Sequence, residues 1–150
     1  MRRTVMLSIA ASGQAGGPCA WAATLTSNGR RKDLTGGSVN SSHNRQLWRA
    51  LIEALNALKE PCIVLGYTNA QWLVDVMNKQ PDDTYANDDL YREARAAALE
   101  HRLEMHHRAD VSTQRDMARK VVLNPLDLDP ADEPTEWQCK QADDTQMELF

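Results

Sequence analysis

The chain opens with three short β-strands in direct succession, and this feature constrains the fold most. Residues 4–10, 19–26 and 31–38 are rich in β-forming side chains, with rough alternation of apolar and polar positions. Asn28-Gly29 separates the second and third runs, and this pair tolerates the positive φ angles of a tight hairpin turn. The pattern therefore predicts three antiparallel strands at the start of a domain.

Helices and two more strands follow. Ser42 is placed to cap a helix whose leucines recur at helical spacing, and Pro61 ends it. The short apolar run at 62–65 is typical of a strand buried on both faces. Helices are expected over 69–79, 88–100 and 114–122, with a fifth strand over 103–107. The predicted order is β-β-β-α-β-α-α-β-α, an α/β domain.

The net charge of −4 averages two different segments. Residues 126–150 carry eight acids and one base, so the first 125 residues carry a small positive surplus. Pro130, Pro134 and the acids leave little apolar surface to offset the entropy of ordering. We therefore predict a folded domain over 1–125, an acidic flexible linker over 126–145 and a terminal peptide over 146–150.

Several classes of protein are disfavoured. No apolar run approaches the ~20 residues of a membrane span, and no signal peptide is expected. The three cysteines, Cys19, Cys62 and Cys139, are an odd number without close pairing, which argues against a disulfide framework or a cysteine zinc site. A cytoplasmic location without membrane partners is the expectation.

Several residue strings, in this order and spacing, resemble type 1 ribonuclease H over about residues 4–123. The strings are Ser12-Gly13 with Gly16-Gly17-Pro18, Asn44-Arg45, Asn69-Ala70-Gln71-Trp72, Asp89-Leu90-Tyr91 and Asp116-Met117-Ala118-Arg119. The resemblance implies a ribonuclease H-like fold, a five-stranded mixed sheet flanked by helices. It also implies an enzyme that cleaves the RNA strand of an RNA–DNA hybrid with two divalent metals.

The four carboxylate positions implied by the resemblance hold other residues. They fall on Ala10 (or Ala11), Leu47, Asn69 (or Thr68), and Arg115, or Asp116 if the register slips by one. Two nearby hard cations need a cluster of carboxylates. We therefore expect no catalytic residue at the degenerate positions Ala10, Leu47, Asn69 and Arg115, no metal and no cofactor, with Asp116 as a residual acid.

Basic and polar residues could still contact phosphates. His43 and Asn44 stand where helix N–H groups attract anions, although ordinary helix capping explains them equally well. The candidate nucleic-acid-binding set is Arg30, Arg31, Lys32, His43, Asn44, Arg45 and Arg49. His106-His107 lies at a strand end, and adjacent strand residues point to opposite faces, so one metal shared by both is not expected.

The chain ends with Gln146-Met147-Glu148-Leu149-Phe150, which resembles the peptide by which bacterial proteins bind the DNA sliding clamp. Gln146 would bond to clamp backbone groups, while Met147, Leu149 and Phe150 would fill apolar pockets. A flexible linker would present such a peptide.

The main hypothesis is a catalytically inactive ribonuclease H-like protein that docks on the clamp and binds nucleic acid or regulates replication or repair. RNA–DNA hybrid and duplex DNA are its candidate ligands, and a phage or plasmid origin fits such a protein. A first alternative is an active ribonuclease H with a rearranged metal site that uses Mg²⁺. A second alternative is a protein-interaction scaffold without nucleic-acid affinity.

Overall fold

A computed structural model describes residues 2–79, 88–124, 128 and 129. The elements follow the predicted order: β1 (Arg3–Gly13), β2 (Gly17–Ser27), β3 (Arg30–Ser41), α1 (His43–Asn56), β4 (Cys62–Thr68), α2 (Gln71–Asn78), α3 (Asp88–Ala98), β5 (Arg102–His107) and α4 (Ser112–Val122). The first three strands run longer than predicted, and for β1 and β2 the reason is that the glycine-rich segment forms only a short turn between them. The predicted fold class is confirmed.

The five strands form one mixed sheet in the order β3-β2-β1-β4-β5. The first three pair antiparallel, whereas β4 runs parallel to both β1 and β5. β1, β4 and β5 therefore end at the same edge of the sheet, called here the carboxyl edge. The starts of α1 and α4 lie at this edge too, since α1 follows β3 and α4 follows β5.

Helices cover the sheet unequally on its two faces. On one face α1 packs against β1 and β2, α3 packs on α1, and α2 packs on β5. The main core lies there, around the buried Trp48, whose ring meets those of Trp72 and Tyr91 edge to face. On the other face α4 lies over β1, β2 and β3 above small side chains such as Ala20, Ala22 and Ala118.

Local signals for turns and caps are confirmed. Asn28 and Gly29 have φ angles of 51° and 79°, as a tight primed turn between β2 and β3 requires. The hydroxyl oxygen of Ser42 accepts a hydrogen bond from the backbone N–H of Arg45 at 3.2 Å and caps α1. The buried Cys19 and Cys62 are small core residues, as predicted.

Two residues beyond α4 return to the domain. Asp129 makes a parallel bridge to β3, where it accepts a backbone hydrogen bond from Val39 and donates one to Gly37, both at 2.9 Å. The Leu128 side chain reaches Gly37 and packs against the alanines under α4. These contacts fall within the range predicted as a linker.

Among the helices of the described ranges, none combines the length and apolar character needed to cross a membrane.

Candidate functional site

The four positions implied by the ribonuclease H resemblance lie near the carboxyl edge. Ala10 is on β1 opposite Ala22 and is 2% exposed, and Leu47 in α1 is fully buried. Thr68 ends β4 as a buried residue, and Asn69 after it is exposed. Arg115 is exposed in the first turn of α4. Leu47 packs in the main core on the α1 face, whereas Ala10 shares the α4 face with Ala22, so the assignment of these four positions stays a prediction.

These residues do not fit a pair of divalent cations. The alanine methyl group and the leucine side chain have no donor atom, and the arginine carries positive charge. Hard cations prefer several carboxylate oxygens, and the alternatives at these positions offer at most the Asn69 amide, the Thr68 hydroxyl and the single Asp116 carboxylate. Nor do the described residues contain a group of three or more His, Cys, Asp or Glu side chains able to hold a metal.

Two acids stand near these positions. Asp116 is exposed on α4, one residue beyond Arg115. Asp110 accepts hydrogen bonds from the Ser112 hydroxyl at 2.7 Å and the Ser112 N–H at 3.1 Å, which fixes the start of α4. These two bonds lower the pKa of Asp110, and the positive charges of Arg115 and Arg108 lower it further. Asp110 is therefore ionised at neutral pH, and its carboxylate is hydrogen-bonded to Ser112 at the start of α4.

An arginine and an aromatic ring meet at the end of β4. The Arg108 guanidinium carbon lies 4.0 Å from the centre of the Tyr67 ring, and its Nη1 donates to the Ser8 hydroxyl at 3.4 Å. The Arg108 backbone N–H donates to the Thr68 carbonyl at 2.8 Å. The His106 ring stacks near Tyr67 at 5.6 Å between centres. We call Ser8, Tyr67, His106 and Arg108 the Arg108 cluster.

The Arg108 cluster lies on the sheet face that carries α4. Ser8 pairs with Tyr67 and Tyr67 pairs with His106, so the three side chains point to one side. Ala10, two residues after Ser8 on β1, shares that side. The described α4 packs over β1, β2 and β3, which leaves this face of β4 and β5 accessible. His106 and His107 are exposed and, as predicted, point to opposite faces.

Two predicted phosphate contacts have other partners. The Arg45 guanidinium donates to both carboxylate oxygens of Asp89 at 3.0 and 2.8 Å, and Arg49 pairs with Glu93 at 3.4 Å. Burial alone would raise the pKa of Asp89, but the hydrogen bond and charge of Arg45 outweigh it and lower that pKa. Arg45 and Arg49 therefore join α1 to α3, and a nucleic-acid role for them stays a prediction.

The other predicted phosphate contacts separate into two groups. His43 and Asn44 are exposed at the start of α1, near the carboxyl edge, and desolvation lowers the pKa of His43. Arg30, Arg31 and Lys32 begin β3 at the opposite end of the sheet, where Arg31 pairs with Asp33 at 3.0 Å. The structure does not bring the two groups together, so one compact phosphate site cannot include both.

The predicted clamp-binding residues Gln146, Met147, Leu149 and Phe150 lie outside the described residues.

Comparison with known proteins identifies the family. No family model matches the chain. A ribonuclease H of Xanthomonas campestris pv. campestris is 34% identical over 115 residues, which span 66% of this chain and 77% of that protein. This chain belongs to the ribonuclease H family. A ribonuclease H of Erythrobacter litoralis is also 34% identical, over 60% of this chain and 71% of its own.

Solved ribonuclease H structures share the fold of this family member. LC11-RNase H1, solved in complex with an RNA/DNA hybrid, superposes with a TM-score of 0.70 at 14% identity. The match covers 81% of this chain and 99% of that one. The described sheet and helices are therefore those of a ribonuclease H.

The comparisons correct our main functional hypothesis. Catalytic inactivity was wrong as the main reading, because the curated relatives are themselves named ribonuclease H, whereas docking on the clamp stays a prediction. The alternative of an active ribonuclease H agrees better with them.

Sequence reasoning missed the Arg108 cluster. The predicted fourth strand stopped at residue 65, so Tyr67 was not placed in the sheet. The signal that could have found the cluster is an arginine directly after the strand that ends at His107. Such a residue lies at the carboxyl edge, where α/β proteins bind their ligands.

Proposed function

We propose that this protein binds RNA–DNA hybrids and cleaves their RNA strand through a rearranged site. Its kinship with curated ribonucleases H carries the proposal. The hybrid bound to the structural neighbour LC11-RNase H1 is consistent with it. Two cations at the carboxyl edge, the half-buried Arg108 and the exposed Arg115, suit a phosphate backbone.

The residues at Ala10, Leu47, Asn69 and Arg115 do not fit the family's metals, so the proposed reaction uses none of them as a metal ligand. The helix α4 instead binds the hybrid and positions the residues at its start. Gln114, on the buried face of α4, donates to the Thr24 hydroxyl at 2.9 Å and holds the first turn of that helix on β2. That turn carries Arg115 and Asp116. Asp116 is the exposed acid directly after the lost carboxylate position at Arg115, and we assign its carboxylate a role in cleavage.

A cleavage assay tests this function. The full chain is incubated with a labelled RNA–DNA hybrid in Mg²⁺ or Mn²⁺, beside duplex RNA and duplex DNA. We expect fragments of the hybrid's RNA strand only, and their loss in Asp116→Asn. Asp75→Asn, an exposed change on α2, is the control that should keep the activity.

Intact RNA at protein concentrations that saturate the hybrid, with either metal, would contradict cleavage while leaving hybrid binding in place. An absence of hybrid binding at low salt would contradict the whole proposal and favour the scaffold alternative.

The clamp remains a proposed partner, separate from the question of cleavage. The support is the terminal string Gln146-Met147-Glu148-Leu149-Phe150 alone. A pull-down with purified bacterial clamp should retain the full chain and release a chain that lacks residues 146–150. Equal retention of both would show that this peptide is not the contact.

A further inference from the structure

The Arg108 cluster is a cationic site that the four family positions do not explain. It lies on the accessible face of β4 and β5, beside the strand that carries Ala10. What it binds depends on the proposed hybrid-binding function, and the inference concerns how that ligand is held.

Two contacts hold the Arg108 side chain before any ligand binds, and a third holds its backbone. The Tyr67 ring lies against the guanidinium group, the Ser8 hydroxyl accepts one N–H, and the Thr68 carbonyl fixes the backbone. A guanidinium group has five N–H donors in a rigid plane, and that plane matches a phosphate. A cation fixed in advance loses less side-chain entropy on binding. The geometry therefore favours an anion at this position.

A second cation stands close by. Arg115 is exposed at the start of α4, and both it and Arg108 are near enough to Asp110 to lower the pKa of that carboxyl group. Arg119, one turn further along α4, is also exposed. Opposing charge comes from Asp110, which is hydrogen-bonded to Ser112, and from Glu104, which lies 3.5 Å from His106. Asp116, directly after Arg115, is a third acid, so the charges at this corner balance, and the fixed geometry of Arg108 rather than net charge favours an anion here.

We propose that Arg108 and Arg115 bind a backbone phosphate of the hybrid at the carboxyl edge, and that hybrid binding therefore needs no divalent cation. Arg115 carries a positive charge at one of the positions where the resemblance implies a metal-binding acid. The exposed His106 ring beside Tyr67 gives a neighbouring sugar or base an aromatic face to contact. The occupant is thus the sugar–phosphate backbone of a nucleic acid.

The test measures equilibrium binding of the full chain to a labelled RNA–DNA hybrid by fluorescence anisotropy. It is run over a salt series, once with Mg²⁺ and once with EDTA. Wild-type binding should be at least as tight in EDTA as in Mg²⁺, because Mg²⁺ competes with the arginines for phosphates. Arg108→Gln should weaken binding about tenfold in both and reduce the salt dependence by about one counterion.

Matched variants separate charge from geometry. Arg108→Lys keeps the charge but loses the planar stack on Tyr67, so it should restore only part of the affinity. Arg115→Gln should weaken binding as Arg108→Gln does. Lys59→Gln removes one exposed charge at the opposite end of the sheet and should leave Kd unchanged. Circular dichroism confirms that each variant is folded.

Two results would overturn this inference alone: wild-type binding that EDTA abolishes, or binding that Arg108→Gln and Arg115→Gln leave unchanged. Failure of the wild type to bind the hybrid in either condition would instead overturn the proposed function.

Discussion

At the scale of single residues, burial decides what each former carboxylate position can hold. Ala10 is 2% exposed and faces Ala22 across the β1–β2 pair, so a carboxylate there would be desolvated in an apolar environment. Asn69 follows the end of β4 in solvent, where an acid would keep its hydration. The two positions therefore differ sharply in the cost of restoring a carboxylate.

Restoring the acids one at a time tests this difference. Ala10→Asp should lower the free energy of unfolding by about 2–4 kcal/mol, because an ionised carboxylate is buried without a prepared partner. Asn69→Asp should change it by less than about 0.5 kcal/mol, as exposed substitutions usually do. Urea unfolding at pH 7 measures both. An Ala10→Asp variant as stable as the wild type would contradict this argument and would mean that a positive group near this position compensates the buried carboxylate.

At the scale of elements, two ion pairs one helical turn apart join α1 to α3. Arg45 and Arg49 are one turn apart on α1, and their partners Asp89 and Glu93 are one turn apart on α3. The Arg45–Asp89 pair is mostly buried, with side-chain exposures of 11% and 18%, whereas Glu93 is 36% exposed. The Arg45–Asp89 pair should therefore contribute more to the free energy of unfolding than the Arg49–Glu93 pair.

Asp89→Asn should reduce the free energy of unfolding by about 1–3 kcal/mol at pH 7, because it removes the carboxylate that binds both Nη groups of Arg45. The pKa of Asp89 is lowered in the folded protein. Its contribution is therefore complete above the unfolded value of about 3.9 and is lost as the pH falls through the folded value.

The difference between wild type and Asp89→Asn should accordingly narrow below about pH 4, as urea titrations over a pH series would record. Asp75→Asn on α2 is the exposed control, with a change under about 0.5 kcal/mol at pH 7. A gap between Asp89→Asn and wild type that stays constant down to pH 2 would contradict the ionic role.

These elements also show what the sequence could predict. Strand and helix order followed from local patterns such as Asn28-Gly29 and the Ser42 cap, which act within a few residues. The partners of Arg45 and Arg108 did not follow. Asp89 is 44 residues from Arg45, and Ser8 is 100 residues from Arg108. Only the packing of α3 on α1, and of β5 beside β4, brings these groups together.

At the scale of the whole molecule, the exposed edge of β3 is shielded by chain from beyond α4. An unpaired strand edge invites pairing with other chains. Asp129 hydrogen-bonds to Gly37 and Val39 there, while Leu128 packs over the small side chains beneath α4. The folded unit thus gains contacts from residues beyond the predicted boundary at 125, and those contacts join its last helix to its third strand.

Leu128→Ala should lower the free energy of unfolding by about 1 kcal/mol, since a half-buried leucine loses part of its burial. It should also speed amide hydrogen exchange at Val39, whose N–H donates to the Asp129 carbonyl. Leu123→Ala is the matched control, because Leu123 is 74% exposed and its loss should cost little. Equal, small effects of the two substitutions would contradict this prediction. They would mean that Leu128 and Asp129 add little to the stability of the domain and that its boundary lies at residue 125, as predicted from the sequence.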